Sequence, residues 1–588
     1  MNRALPTAAR LLPWLLLVSA CEPTLDTLDA PDAPDAAEPD RPDDTPEDLP
    51  VDTTPPDCSF APDPVEPPTP PDPPATVDYL IVAADPLLDA ATTLAAHRAT
   101  RGHTVEVLPV SSALDDGTGH PDTTGYVDRL RGLVATRRTL LDPDRPLHLL
   151  LLGDADPTWD GSPNLVPTAT WPDPSGWVDR ITSDNLFVDL DHDGLPDAAV
   201  GRAPLRNPAD AERWVAAVID YDTRYEPGPW NRQLHVFASE GGFGDLLDDI
   251  LVDVGMRVIG EIPPEWSVSF TYAAQNSVYT YPPDRFSDRI YQYLNQGAFL
   301  MSYVGHGSPS GFTDAAWPGG PSGPIFDETR IDEINIAHRP PLLVFIACST
   351  GSFDTGDSIT ERLLRQPGSS PALLASTEVS HPYSNTIFVR EIERVALLER
   401  PRTLGELFVR AKHAMLEQDD ELRRFIDDLS SLQLTPEELL TLPPAHLQMY
   451  TLFGDPGQEL PRPRGTVDLA VEDDRLPPGQ VVRLCAQVHG PPSGTAHVTF
   501  EIVRTELARL TEPWSLADPD WRETVSANHE SANDKVVWSA DVPYADGGFA
   551  LSFVVPPETR RLDHYVVVYA ENGADDAVGS TLVRVRLE

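Results

Sequence analysis

Two apolar runs in this sequence end in residues that can do covalent chemistry. Ala298-Phe-Leu-Met-Ser-Tyr-Val304 leads into Gly305-His306-Gly307-Ser308, and Pro341-Leu-Leu-Val-Phe-Ile-Ala347 leads into Cys348-Ser349-Thr350-Gly351. A cysteine attacks as its thiolate, so it needs a base or a positive neighbour, and a leaving amine needs a proton donor. An imidazole can meet either need near neutral pH. If the two runs are parallel strands leaving a sheet at one edge, His306 and Cys348 share a site. Gly307 then offers a backbone N–H unshielded by a Cβ, which suits an oxyanion hole together with the N–H of Cys348. Singly, the Cys reads as a small buried hydrophobe and the His as an ordinary loop residue. The chemistry rests on the pair.

A second constellation is Asp189-Leu-Asp191-His-Asp193-Gly194-Leu-Pro-Asp197. Carboxylates at alternate positions, with a glycine for the sharp turn, match the start of a calcium loop, since hard oxygens suit a hard cation. The bidentate glutamate of a full EF-hand is missing at position twelve, where Val200 stands, and Asp197 at the ninth position is expected to substitute. The expectation is a structural Ca²⁺ on Asp189, Asp191, Asp193 and Asp197, with His192 a bystander. The plainer reading is an acidic hairpin turn.

The elements that must position these groups alternate regularly from Val77. A buried run, Tyr79–Ala83, precedes a helical stretch that stops at Gly102, a second strand covers 104–110, and a helix over 126–138 leads to Leu147–Leu152. Strands recur at 234–239, 298–304, 342–347 and 371–376 with helices between. That rhythm predicts an α/β fold with an open parallel sheet flanked by helices, its site beyond the strands' C-terminal ends. The body divides into subdomains at 77–230 and 231–463. After Phe453-Gly454-Asp455-Pro456 seven short β-rich segments with Pro, Gly and Asp turns predict an immunoglobulin-like β-sandwich over 464–588.

Composition narrows the function. Against 43 basic residues stand 93 acidic ones, a net charge of −50 over 588 residues, which excludes a phosphate-backbone binder and so a nucleic-acid partner. Four cysteines exclude a disulfide mini-scaffold. No apolar run is long enough to span a bilayer as a helix. Arg3 and Arg10 precede a short apolar stretch, Leu11 to Ala20, that has the length of a signal peptide's hydrophobic region. Residues 21–76 are nearly all Pro, Asp, Glu, Ala and Thr, with Arg41 the single basic side chain. Such a stretch cannot offset its ordering entropy by burial, and it reads as a self-repelling tether. Cys58 stands alone in it, and a disulfide with Cys485 is one option in an oxidising compartment.

Two resemblances add to this. Val18-Ser19-Ala20-Cys21 resembles the lipobox of bacterial lipoproteins, which implies removal of residues 1–20 and acylation of Cys21. Two or three acyl chains, at roughly 0.8 kcal/mol per buried CH₂, anchor a protein firmly to a membrane. Glu22 after the Cys leans by resemblance towards the outer membrane or cell surface. The body, in turn, resembles the caspase, legumain and gingipain clan of cysteine peptidases, and within it the gingipain family. The matching pieces run in order over about 77–460: Tyr79-Leu-Ile-Val, Leu152-Gly-Asp154, Ser183-Asp-Asn185, Val200-Gly-Arg202, Ala238-Ser-Glu-Gly-Gly242, Tyr303-Val-Gly-His-Gly-Ser308, Ala347-Cys348, Ala375-Ser-Thr377 and Phe453-Gly-Asp-Pro456.

The resemblance implies a caspase-like sheet and a dyad of Cys348 as nucleophile and His306 as base or acid. Glu240 matches the family's glutamate near the histidine and is expected to orient or charge it. Asp245, Asp248 and Asp249 stand near the place of the family's pocket acid, which would favour Arg or Lys at P1 through charge-assisted pairing. The family's pocket tryptophan has no match, for the stretch after Ala-Ser-Thr is Glu378-Val-Ser-His-Pro-Tyr383. The expected function is a lipid-anchored extracytoplasmic cysteine endopeptidase acting on protein or peptide substrates. A sortase-like transpeptidase would use the same dyad, and a surface adhesin or scaffold that has lost activity would keep only the fold.

Overall fold

A computed structural model describes residues 58, 76–114, 125–155, 166–241, 255–336, 339–354, 356–507 and 511–586. The signal stretch, Cys21, nearly all of the tether and the three acids Asp245, Asp248 and Asp249 lie outside the described residues. Among those described, no helix is long and apolar enough to cross a membrane.

Ten strands form one sheet: β1 (Tyr79–Ala83), β2 (Val105–Pro109), β3 (His148–Leu152), β4 (Ala199–Ala203), β5 (Gln233–Ala238), β6 (Ser267–Tyr272), β7 (Leu300–Val304), β8 (Leu342–Ile346), β9 (Leu373–Ser376) and β10 (Tyr450–Phe453). Their order across the sheet is β2-β1-β3-β4-β10-β9-β8-β7-β5-β6. Residues of β1, β3, β8 and β9 are buried throughout, as near-continuous apolar runs must be when helices cover both faces. The sheet is not wholly parallel, in contrast to the sequence expectation. Strands β2, β1, β3, β4 and β10 form one parallel block and β9, β8, β7, β5 and β6 another. The blocks meet where β10 pairs antiparallel with β9. β10 follows helix Pro436–Met449 with no intervening residue.

The C-terminal region forms an eight-stranded, barrel-like sheet. Strands β11 (Gly465–Val471), β12 (Arg475–Leu476), β13 (Val481–His489), β14 (Gly494–Ile502), β15 (Val536–Tyr544), β16 (Gly548–Val554), β17 (Asp563–Glu571) and β18 (Asp576–Val585) are ordered β15-β14-β17-β18-β11-β13-β16, with β12 also on β18. The two ends of that order, β15 and β16, are consecutive in the chain. Their turn carries positive φ at Asp546 (55°) and Gly547 (74°), as an Asp-Gly hairpin of the primed type requires, and it draws the sheet into a nearly closed barrel. Alternate burial along β13 sends Val482, Leu484, Ala486 and Val488 inward. Period-two patterning is the same for a sandwich and a barrel, so the sequence could not separate them.

Between β14 and β15 the chain makes a helix, Trp521–Asn533, which lies along the edge strand β6. There the Asn533 amide accepts from the N–H of Phe270 (2.7 Å) and donates to its carbonyl (3.0 Å), covering an edge that would otherwise be open to pairing. A disulfide joins Cys58 to Cys485 on β13, with Cα atoms 5.8 Å apart.

Candidate active site

Three neighbouring strands set the site. Ala238 of β5 pairs with Val304 of β7, and Val304 pairs with Ile346 of β8. Two residues beyond that aligned row stand Glu240, His306 and Cys348. All three strands are parallel, so the three side chains leave the sheet at one edge. Small residues let the loops close on one another. Ser239 N–H donates to the Val304 carbonyl (3.1 Å), Gly305 N–H to the Ile346 carbonyl (3.1 Å), and His306 N–H to Ser239 Oγ (3.2 Å). A methyl on Gly307 would lie 2.8 Å from Thr350 Cγ2 and 2.9 Å from Ala347 Cβ, so this glycine allows the His loop to sit directly on the Cys loop.

The imidazole of His306 is exposed, and its Nε2 lies 2.8 Å from the Gly241 carbonyl. A carbonyl only accepts, so Nε2 carries the proton and Nδ1 is the basic nitrogen of the neutral ring. Glu240 is exposed and immediately precedes the carbonyl that fixes this tautomer. Tyr303 OH donates to the His306 carbonyl (2.8 Å) and stacks on Phe312. In the hairpin that follows, Thr313 N–H bonds the His306 carbonyl (3.4 Å) and Gly307 pairs with Phe312. Bonded and unbonded positions alternate along an antiparallel pair, so Gly307 directs its N–H away from the hairpin.

Cys348 is half-buried and is the one free cysteine among the described residues. Its thiol lies 3.6 Å from the Ser380 carbonyl and 4.0 Å from Ser380 Oγ. The next residue, Ser349, has φ of 54°, a conformation costly for a side chain with a Cβ and commonest where function fixes it. Its N–H is held by the Glu378 carbonyl (2.9 Å). The segment after β9 thus runs alongside the cysteine, with Asn385 Nδ2 donating to Ser380 Oγ (2.8 Å).

A model of peptidase family C25 matches residues 72–461. The chain belongs to this family. It is therefore a cysteine peptidase, a hydrolase with protein substrates. Among solved structures this C25 peptidase is similar to gingipain R, an Arg-specific cysteine proteinase, at 16% identity over 87% of this chain and 98% of that one, with TM-score 0.48. It is similar to the complex of Porphyromonas gingivalis RgpB pro- and mature domains at 16% identity over 86% and 100%, TM-score 0.47. A third likeness is dimeric latent PorU from Porphyromonas gingivalis, at 16% over 87% and 43%, TM-score 0.35. No curated protein sequence matches.

The C25 chain also brings parts of its acidic loop together. Carboxylate oxygens of Asp189, Asp191 and Asp197 lie within 4.8 Å of one another. Asp193 is outside that group; its Oδ1 accepts from the N–H of Leu195 (2.8 Å). Asp189 is 6% exposed and its Oδ1 is buried without a donor; burial raises its pKa. Sequence reasoning missed three residues that touch Cys348 or His306, namely Ser239, Gly241 and Ser380, and with them Trp177, which bonds the Val379 carbonyl next to Ser380. Ser239 and Gly241 stood beside Glu240 in a matched segment, whereas nothing in the order of residues tied Trp177 to a cysteine 171 positions later.

Proposed function

We propose that Cys348 is the nucleophile and His306 the acid–base partner of an endopeptidase. The observation that carries this reading is the shared register of three strands, which puts both residues two positions beyond one row. The imidazole is meanwhile held by its Nε2. In the reaction, Nδ1 of His306 takes the thiol proton and the thiolate sulfur adds to the substrate carbonyl carbon. The N–H groups of Gly307 and Cys348 receive the oxyanion. As the C–N bond breaks, the imidazolium returns the proton to the departing amine. Water then adds to the thioester, with His306 taking its proton and passing it to the sulfur as the acid leaves. The segment carrying Glu240 positions the imidazole through the Gly241 carbonyl. The acids Asp245, Asp248 and Asp249 favour a basic P1 residue.

The same reading includes a lipid on Cys21, supported by Val18-Ser19-Ala20-Cys21 after an apolar stretch, with the enzyme working outside the cytoplasm. It also includes a structural Ca²⁺ on Asp189, Asp191 and Asp197, supported by the buried, unpartnered Oδ1. When bound, the ion supplies the positive charge that three clustered carboxylates lack.

The test uses acyloxymethyl-ketone probes with Arg, Lys, Asn, Asp or Leu at P1 on the full chain, beside Cys348→Ala. Labelling lost in that variant, with Arg or Lys preferred, is expected. A folded protein whose Cys348 takes no probe would overturn the assignment. Detergent-phase partition of the native chain against Cys21→Ser reads the anchor.

A further inference from the structure

Seven large apolar side chains are exposed among the described residues, and two of them, Trp177 (43%) and Val379 (45%), meet next to Ser380. They come from opposite halves of the sheet. Val379 precedes Ser380, whose carbonyl meets the Cys348 thiol. Trp177 sits on the short hairpin that joins strands Thr170–Pro172 and Arg180–Thr182. Its indole N–H donates to the Val379 carbonyl (2.9 Å), and its ring meets the edge of His381 at 5.0 Å.

The hairpin is braced. Asp173 accepts from the N–H groups of Ser175 and Val178, both at 2.9 Å, and from Ser175 Oγ. Beneath it, Trp171 and Val178 pack on Ile181, Ala445 and Met449. A large indole is thus held by its polar end, fixed in place and left open to solvent beside a reactive thiol. Rigid aromatic surface next to a nucleophile is what an apolar ligand group can bury at low ordering cost.

We propose that Trp177 and Val379 form the wall of a substrate subsite that takes a bulky apolar side chain next to the P1 residue, making Trp177 a specificity-determining residue. The proposal rests on Cys348 being the nucleophile. The wall and the basic P1 preference proposed above select different residues of one peptide.

The test compares peptide substrates with P1 fixed as Arg and with Leu, Phe, Ser or Gly at each neighbouring position in turn, using the full chain. At the position that meets the wall, the native enzyme should prefer Leu or Phe over Gly by roughly ten-fold or more in kcat/KM. Trp177→Ala should lose that preference through KM, keep its kcat/KM on the Gly peptide, and Trp177→Phe should retain part of the preference. A purely structural Trp177 would instead lower kcat/KM equally for every peptide, Gly included, and that outcome overturns the proposal. So does a native enzyme with no apolar preference at any position. If Cys348→Ala cleaves as well as the native chain, the dyad itself is wrong, which is a separate and visible failure.

Discussion

The edge of the sheet that carries Cys348 and the seam between sheet and barrel use the same kinds of group to opposite ends. At the seam, Asp576 is fully buried. It accepts from Tyr225 OH (2.7 Å), Tyr569 OH (2.8 Å), the Arg464 N–H (3.0 Å) and Asn231 Nδ2. A carboxylate surrounded by donors is stabilised where it stands and has no capacity left for chemistry. At the edge, backbone groups hold the loops and touch the reactive side chains: the exposed His306 imidazole meets the Gly241 carbonyl at one nitrogen, and the half-buried Cys348 thiol lies against the Ser380 carbonyl. The seam encloses its carboxylate among donors, whereas the edge leaves an imidazole open to solvent.

The largest effects should separate these regions cleanly. Cys348→Ala should lower peptidase activity by at least about 10³-fold and leave the melting temperature within a degree or two of native, measured on one sample by calorimetry and peptide hydrolysis. Asp576→Ala should do the reverse. Leaving a buried donor unpaired costs about 1–3 kcal/mol and this substitution strands several, so denaturant midpoints should fall sharply while kcat on the protein that stays folded is kept. If Asp576→Ala abolishes activity in fully folded protein, the seam is part of the site and the contrast fails.

Gly305→Ala probes the edge from inside. A methyl there would run into Ser239 Oγ and Tyr303 OH, the groups that hold the backbone of His306. Misplacing a catalytic group by about 1 Å can cost ~10²-fold, so kcat should fall by about that factor with little change in KM. Unchanged kcat would mean that the His loop tolerates movement and that its packing is not part of the mechanism.

Much of the edge was legible in the sequence, and the reasons show where legibility stops. His306 and Cys348 end strongly apolar runs, and such runs become central strands whatever surrounds them, so their shared edge followed from strand type alone. The antiparallel seam at β10 did not, because nothing in Tyr450–Phe453 states which way the strand enters the sheet. How the C-terminal strands close was not legible either, since alternation fixes which side chains point inward but not how a sheet closes. Spacing grouped Asp193 with Asp189, Asp191 and Asp197, but it could not say how closely their carboxylates approach, which depends on how the loop folds back. Trp177 is the clearest case: its place beside Val379 depends on two distant segments meeting, which only the folded chain reveals.

The acidic loop offers a smaller test of the same contrast, because Asp189 is buried like Asp576 yet one of its oxygens, Oδ1, has no donor. Calcium at a hundred-fold excess over its Kd should stabilise the native chain by about 2.7 kcal/mol. Asp189→Asn should abolish that calcium-dependent shift in melting temperature. Without calcium the Asn variant should be as stable as the native chain or more so, since the burial that raises the Asp189 pKa penalises its charge. A calcium-dependent shift that survives Asp189→Asn would place the ion elsewhere.

The smallest effect is expected at Glu378, where a half-buried acid belongs to the edge instead of the seam. Burial, reinforced by the nearby Asp354 carboxylate and opposed by Arg180, pushes its pKa up to about 7. The folded protein therefore binds this proton more tightly than the unfolded chain, whose glutamates titrate at about 4.3. The sign follows from linkage: the protonated form favours folding, so the contribution is complete below the unfolded pKa and is lost as pH rises through about 7. Glu378→Gln removes that titration while keeping the side chain's shape. Near pH 4.5 the variant should lose any advantage, and by pH 8 it should be the more stable of the two, with the difference growing across that window and then levelling off. Urea midpoints of both proteins across pH 4.5 to 8 read this directly. Parallel pH profiles would mean that Glu378 is solvated like a surface acid, and that the edge beside Cys348 is wetter than its packing implies.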